Sequence, residues 1–216
     1  MPKPVSIAAL RSLVAAWTPA PPARGGGIAT GVPAVDAALG GGLPRGRITE
    51  LVAPLPGCGG ELFLATLLAR TRAARQRVAL VDAADGFAPA NHRADSLRHL
   101  VWVRAPSLAG ALAGADVLVR DGNYAVVVLD LRGVPARELA RSPAPVWHRL
   151  RLAAQPGPGA VLVQSTAGCV PAVAWRLVLR APATLGDLRR PQAERAAALA
   201  VEVERGHADT RGELAG

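Results

Sequence analysis

The sequence predicts an α/β protein with a mostly parallel sheet that is covered by helices. From residue 47 onward, the 216-residue chain alternates short Val- and Leu-rich runs with longer amphipathic stretches. Continuous apolar runs are typical of strands buried on both faces, and helices between them supply the crossovers of a parallel sheet. Two later runs alternate strictly between apolar and polar residues, which predicts an antiparallel pair of strands at the C-terminal edge.

The elements follow one another in a regular order. Strands are predicted at 47–53, 77–83, 100–104, 124–131, 159–165, 175–180 and 199–206, and helices at 60–74, 89–98, 107–121 and 146–154. The stretch 192–205 is ambiguous, because QAERAAALA has high helix propensity. For it we favour one or two helical turns followed by a strand.

The N-terminal region is predicted to be a separate amphipathic helix. Ser6 can cap this helix, and the residues at helical spacing form one apolar stripe. The stripe consists of Ile7, Leu10, Leu13, Val14 and Trp17. A Pro- and Gly-rich linker follows, so the helix can pack either on a neighbouring subunit or on its own domain. The expected organisation is helix and linker at 1–27, a core at 28–205 and a flexible tail at 206–216.

The composition favours an anionic partner without selecting one. The formal charge is +9 and Lys3 is the only lysine, so arginine supplies nearly all of the positive charge. The excess of arginine is typical of proteins that bind nucleic acid, but it also fits arginines scattered over a solvated surface. Cys58 and Cys169 show neither metal-site nor disulfide spacing, which indicates a reducing cytoplasm. We expect no metal, no cofactor and no membrane span.

A Gly-rich segment stands where a strand–loop–helix protein keeps a phosphate-binding loop. The segment APLPGCGGE covers residues 53–61. Aligned with the Walker pattern, Ala53, Cys58, Gly59 and Gly60 replace the first Gly, the second Gly, the Lys and the Ser/Thr. Gly57 and Glu61 complete this degenerate loop, in which glycines serve the turn and Glu61 can stabilise the helix start. Downstream, AVVVLD ends in Asp130, the form of a Walker B strand.

The segment before this loop resembles the start of the RecA recombinase core. RecA reads I-x-T-G, D-x-A-L-G-x-G and L-P-x-G-R-I-x-E-I, and residues 28–51 match at many fixed spacings. The matching residues are Ile28, Thr30, Gly31, Asp36, Ala38, Leu39, Gly40, Gly42, Leu43, Pro44, Gly46, Arg47, Ile48 and Glu50. The resemblance covers about 28–205 and implies a RecA-like core.

The departures from RecA concern its chemistry. Ala84 stands where the RecA pattern places a catalytic glutamate, and Asp85 is one position too late. The segments 131–146 and 165–174, where RecA carries its DNA-contacting loops, look shortened. The resemblance therefore implies a RecA-like fold without ATP hydrolysis.

Within this group the chain resembles ImuA, the small RecA-related subunit of the bacterial mutasome. PGCGGEL is similar to the degenerate loop of that family, and PVWHRLRLAA is similar to its arginine-bearing helix. The resemblance implies a non-catalytic adaptor in SOS mutagenesis and translesion synthesis, a DNA-damage response. It implies binding to an ImuB-type Y-family polymerase relative and to RecA, with an error-prone replicative polymerase paralogue reached indirectly.

The resemblance leads to two hypotheses about surfaces that bind partner proteins. In RecA a helix ahead of the core packs on the adjacent subunit, so the N-terminal stripe could mediate self-association or RecA capture. The residues 181–216 are the candidate for docking ImuB, because an edge strand offers unpaired backbone groups.

Other readings remain open for the function. Five arginines after Asp130 form a candidate patch for weak DNA binding or an acidic partner: Arg132, Arg137, Arg141, Arg149 and Arg151. One alternative function is a divergent DNA-stimulated ATPase that uses Asp130, Asp85 and an arginine from elsewhere. The other is an accessory protein that binds single-stranded DNA.

Overall fold

The structure, a computed structural model, describes residues 26–180, 184 and 186–205. The predicted N-terminal stripe, from Ile7 to Trp17, and the tail at 206–216 lie outside the described residues.

Seven strands form one sheet, and the predicted fold class is confirmed. The strands are β1 (Ile48–Val52), β2 (Val78–Asp82), β3 (Leu100–Arg104), β4 (Val126–Asp130), β5 (Ala160–Ser165), β6 (Trp175–Leu179) and β7 (Val201–Arg205). Their order across the sheet is β3-β2-β4-β5-β1-β6-β7. All neighbours are parallel except β6 and β7, which are antiparallel.

The helices lie between the strands much as the sequence predicts. They are α1 (Pro33–Ala38), α2 (Gly60–Ala73), α3 (Ala94–Leu97), α4 (Leu108–Asp121), α5 (Ala136–Leu139), α6 (Ala144–Ala154) and α7 (Gln192–Ala197). The stretch predicted as one helix at 89–98 is instead a 3-10 turn, Pro89–Asn91, followed by α3. The chain is extended at His92 and Arg93 between them, which directs the His92 side chain inward.

The core consists of two layers, one on each face of the sheet. On one face Ala79, Val81, Val127 and Leu129 pack with residues of α4 and α6. On the other face Val78, Leu80, Val126 and Val128 pack with residues of α1, α2 and α7. Both sets come from the same strands in alternation, which explains why β2 and β4 are apolar at almost every position.

The residues of the RecA-like segment before β1 hold the backbone together. The Asp36 carboxylate accepts hydrogen bonds from the backbone N–H of Thr30, at 2.8 Å, and of Gly31, at 3.1 Å. It also accepts one from the Thr30 hydroxyl at 2.7 Å. Ile28 and Leu43 exchange two backbone hydrogen bonds of 2.9 Å. These contacts close the segment against the domain and give its matched residues a structural role.

A buried carboxylate in β1 holds the segment that joins β5 to β6. Glu50 is fully buried, and its Oε1 accepts hydrogen bonds from the backbone N–H of Cys169 at 2.6 Å and of Val170 at 3.2 Å. The Arg176 guanidinium donates to Oε2 at 2.7 Å. Burial, followed by the nearby Glu50 charge, raises the pKa of the Cys169 thiol to about 12. The thiol is therefore protonated at neutral pH.

Among the described helices, none is both long enough and apolar enough to cross a membrane.

We expect Arg176→Ala to lower the free energy of unfolding by about 1.5–3 kcal/mol, because it removes a charged hydrogen bond from a fully buried carboxylate. Urea denaturation followed by circular dichroism measures this change. Arg180→Ala is the matched control, since Arg180 pairs with Glu202 where both side chains are about half exposed. That substitution should cost about 0–1 kcal/mol. Equal losses for the two variants would contradict a central role for Glu50.

Candidate functional site

A cleft of about 750 Å³ opens at the carboxyl ends of the parallel strands. One wall is the Gly-rich loop between β1 and α2, and the floor includes Asp82 and Asp130 at the ends of β2 and β4. The opposite wall is the C-terminal segment with Arg195 and Leu199. Ligands of open α/β sheets bind at this end of the strands. The cleft is therefore the candidate site of the described domain.

The Gly-rich loop has the conformation of a strand-to-helix turn. Cys58 is 1% exposed and packs in the core, whereas Gly57 and Gly59 have φ of 81° and 102°. Gly59 is the residue that precedes helix α2, and the N–H of Phe63 donates to its carbonyl at 2.8 Å. Backbone of this kind suits glycine, because a side chain is strained at positive φ.

The position of the Walker lysine disfavours a side chain, because Gly59 has a positive φ and lies against Leu199. A Cβ placed on Gly59 would overlap the Leu199 side chain, which comes from the turn before β7. Leu199 is 9% exposed and belongs to the core on that face. The missing lysine is thus more than a single replacement, because the C-terminal segment occupies its space.

An arginine lies where the Ser/Thr and its metal ion would meet the Walker B carboxylate. The Arg132 Nε donates to Asp130 Oδ1 at 2.9 Å, and its Nη2 donates to Asp130 Oδ2 and, at 3.0 Å, to Glu61 Oε2. A Cβ on Gly60 would lie 3.3 Å from the Arg132 side chain. Both oxygens of Asp130, which is 4% exposed, are therefore bound by one guanidinium.

Electrostatics strengthen this ion-pair network. For Arg132, burial alone would lower the pKa, but hydrogen bonds and charges of Asp130 and Glu61 outweigh it and raise the pKa. Glu61 also contacts a histidine: its Oε1 lies 2.8 Å from Nε2 of His92, whose side chain is 2% exposed and packs on the Phe87 ring. Burial would raise the pKa of Glu61, but His92 and Arg132 together lower it. The carboxylate is consequently held in its charged form.

The loop after β2 is organised by a second buried carboxylate. Asp82 accepts hydrogen bonds from the backbone N–H of Ala84, Gly86 and Phe87, at 3.2, 3.0 and 2.9 Å. Ala84 offers no polar group at the position of the RecA glutamate. Asp85 points elsewhere and makes a two-pronged ion pair with Arg104, with Nε to Oδ1 at 2.6 Å. The loop therefore brings no carboxylate other than Asp82 to the cleft lining.

The two segments that correspond to the RecA DNA loops are fixed by internal contacts. In 131–146, the Trp147 indole donates to the Ser142 hydroxyl at 2.8 Å, and that hydroxyl donates to the Leu139 carbonyl at 2.7 Å. In 165–174, Glu50 binds two backbone N–H groups. Both segments pack against the domain through these bonds.

The five arginines grouped by the sequence have different surroundings. Arg132 is turned into the cleft, whereas Arg137 and Arg141 are exposed. Arg149 lies 3.7 Å from Asp116 on α4, and Arg151 contacts Nδ1 of His148 at 2.7 Å. Arg132 thus stands apart from the other four.

Part of the chain is similar to RecA proteins. No protein-family model matches the chain. Over 106 residues it is 39% identical to RecA of Methylococcus capsulatus, 37% to RecA of Deinococcus radiodurans and 35% to RecA of Streptomyces avermitilis. The chain is RecA-related. The stretch covers 48% of this chain but only 28–30% of those RecA proteins, so the relationship concerns part of their length.

The RecA relationship and the sheet agree on a RecA-like core, and the site shows what sequence reasoning missed. His92, Leu199 and the pairing of Arg132 with Asp130 were not foreseen. One signal was present: a buried Asp at the end of a central strand needs hydrogen-bond donors or a cation, and Arg132 is two residues away. Among the described residues, no group of three or more His, Cys, Asp and Glu side chains is arranged to hold a metal ion.

We expect Glu61→Gln to destabilise the protein at neutral pH and to lose this effect in acid. The folded pKa of Glu61 lies below its ordinary value of 4.5, so the charged carboxylate stabilises the fold above about pH 4.5. That contribution disappears as the pH falls through the lower folded pKa. Urea denaturation of both proteins between about pH 7 and pH 3 measures the difference.

Arg132→Ala provides the control for this experiment. It leaves Asp130 buried without its counter-charge and should cost about 3–5 kcal/mol, the range for breaking a buried pair. In that background Glu61→Gln should have a smaller effect, because Arg132 is gone and only His92 still pairs with Glu61. Full additivity of the two substitutions would contradict the network.

Proposed function

We propose that this protein is a RecA-related adaptor that does not hydrolyse ATP and works in a translesion-synthesis mutasome, as an ImuA-type subunit in SOS mutagenesis. Its RecA relationship places it near DNA repair and recombination. The adaptor role rests on the cleft, where internal side chains take the places that nucleotide and metal would need.

The Arg132 guanidinium is the observation that carries this proposal. A nucleoside triphosphate site must present a cation to the phosphates and a free carboxylate to the metal ion. Here the carboxylate of Asp130 is bound on both oxygens, and Glu61 adds a negative charge beside the loop. A metal ion would have to displace Arg132 from Asp130, incoming phosphates would meet the Glu61 carboxylate, and the positive φ of Gly59 disfavours a lysine.

We expect no binding of Mg-ATP tighter than about 100 μM, or roughly −5.5 kcal/mol. Isothermal titration calorimetry of the full chain measures this, with a bacterial RecA as the positive control. Binding tighter than that limit would favour the alternative of a divergent ATPase.

The double variant Gly59→Lys/Gly60→Thr tests the reason for the loss. It restores both Walker side-chain types, yet it should still fail to bind Mg-ATP, because a side chain at the positive φ of Gly59 is strained and Arg132 still holds both oxygens of Asp130. Recovery of binding in this variant would mean that side-chain identity alone removed the activity.

The adaptor function needs partner surfaces, and the proposed partners are an ImuB-type Y-family polymerase relative and RecA. The C-terminal edge of the described sheet offers one such surface. Strand β7 pairs with β6 on one side and has no strand on its other side among the described residues. Val203 in this strand is 38% exposed. An extended peptide of a partner could add here as a further strand.

We expect Val203→Pro to weaken capture of an ImuB-type partner at least about tenfold while the domain stays folded. The N–H of Arg180 donates to the Ala200 carbonyl, so even-numbered residues of β7 face β6 and Val203 directs its N–H outward. Proline there removes a donor from the free edge and spares the ladder. Co-purification and surface plasmon resonance measure the binding.

Val203→Thr is the matched control, because it keeps both the β-branched shape and the N–H. It should bind like the original protein. Unchanged binding by the proline variant, with an unchanged circular dichroism spectrum, would exclude this edge as the docking site.

A further inference from the structure

An arginine-rich surface lies at the opposite end of the sheet from the cleft. Arg45 precedes β1, Arg77 directly precedes β2 and Tyr124 precedes β4. Because these strands are parallel, the segments that lead into them meet at the amino end of the sheet. There Arg45, Arg75, Arg77, Asn123, Tyr124 and Pro158 line a groove of about 480 Å³, which we call the amino-end groove.

A second groove of about 800 Å³, the helix-side groove, lies on the other side of Arg75. Arg72, Arg75, Arg93 and Asp95 are among its lining residues, and Arg75 lines both grooves. Asp95 is the single carboxylate of the two linings, and Arg72 binds it at 3.0 Å. Arg93 also interacts with the Asp95 charge, whereas Arg45, Arg75 and Arg77 have no carboxylate in either groove to balance them.

These four guanidinium groups are available to a ligand. Arg45, Arg75, Arg77 and Arg93 are exposed, and the ion pairs within the described part of the chain involve none of them. Arg45 uses one Nη1 donor on the Pro158 carbonyl, which fixes its direction and leaves its other donors free. Guanidinium groups recognise phosphate through paired hydrogen bonds as well as through charge.

Arg75 also occupies a backbone position that favours glycine. Helix α2 ends in a Schellman motif: the N–H of Gln76 donates to the Thr71 carbonyl at 2.9 Å and the N–H of Arg75 to the Arg72 carbonyl at 3.0 Å. Arg75 lies between the end of α2 and the start of β2, and its φ of 56° is in the left-handed region. An arginine is strained in this backbone region, and strained residues cluster at functional sites. The strain therefore indicates a function for the Arg75 side chain.

We propose that the amino-end and helix-side grooves bind the phosphate backbone of a single-stranded nucleic acid. Four exposed guanidinium groups along two adjacent grooves, three of them without a carboxylate in either lining, suit a ligand with repeated, evenly spaced negative charges. The half-buried Tyr124 ring and the Gln76 amide add groups that can contact bases and sugars, whereas the Asn123 amide donates to Asp121 at 3.0 Å. This surface is distinct from the arginines after Asp130 and does not depend on the mutasome assignment.

The test compares two triple variants that remove the same charge. Fluorescence anisotropy with labelled oligodeoxythymidine and oligouridine measures affinity between about 50 and 200 mM salt. Arg45→Ala/Arg75→Ala/Arg77→Ala should weaken binding at least about tenfold at low salt and reduce the salt slope by about 2, or 0.7 for each lost phosphate contact. Arg137→Ala/Arg141→Ala/Arg151→Ala should stay within about threefold of the original protein.

The single variant Arg75→Gly separates binding from stability. It should raise the melting temperature by about 2–4 °C, because it relieves the left-handed residue, and weaken binding at the same time. If Arg75 had a purely structural role, the substitution would change the melting temperature but not the affinity for the oligonucleotides. Because the variant is expected to be more stable than the original protein, its weaker binding could not be attributed to unfolding.

Several results would overturn the proposal. These are no measurable binding to either oligonucleotide, equal losses in the two triple variants, or a larger loss in the Arg137 variant. Tighter binding to labelled polyglutamate than to the oligonucleotides, with the same dependence on Arg45, Arg75 and Arg77, would assign the grooves to an acidic protein instead. A difference between the two oligonucleotides decides only whether DNA or RNA is the preferred source of the phosphates.

Discussion

The Arg132 guanidinium, held between Asp130 and Glu61, is the interaction on which the carboxyl end of this fold depends. Asp130 ends a central strand and is buried, so its charge must be met by donors or a cation whether or not a nucleotide is present. Arg132 supplies that charge from two residues away, and through Glu61 it joins the end of β4 to the start of α2. Glu61 in turn contacts His92, which ties in the loop after β2. The network explains the small residue at Gly60, because the arginine lies over it.

The residues that match RecA and the residues that depart from it have different physical roles. Asp36 and Thr30 close the segment before β1, and Glu50 holds the segment between β5 and β6. These contacts are needed by the backbone in any state of the protein. The Lys, the Ser/Thr and the catalytic glutamate of RecA serve a nucleotide, and Gly59, Gly60 and Ala84 stand in their places. The resemblance therefore survives where it builds the fold and ends where it would contact phosphate.

The sequence predicts the sheet well because its signal is local. All seven strands coincide with apolar or alternating runs, and the short helix before β7 follows from its composition and length. The helix predicted at 89–98 fails because the chain turns His92 into the core, a tertiary demand that no periodicity shows. The site was harder to predict, because its contacts join residues that are far apart in sequence. Leu199 contacts Gly59, and Arg132 pairs with Glu61. The sequence groups Arg132 with the arginines that follow it. In the structure, however, its side chain points towards the Asp130 and Glu61 carboxylates.

An internal arginine differs from a nucleotide in that it cannot leave. A ligand changes a conformational equilibrium only through its different affinity for two states, and it does so only while it binds and dissociates. If the proposed function holds, the permanent Arg132 counter-charge keeps the cleft in one electrostatic state, and partner binding is set by concentration rather than by an ATP cycle. The carboxyl end of the sheet is then a fixed scaffold, with the β7 edge beside it. The amino end, with Arg75 held in a strained turn, carries exposed arginines that are free to meet an anionic partner.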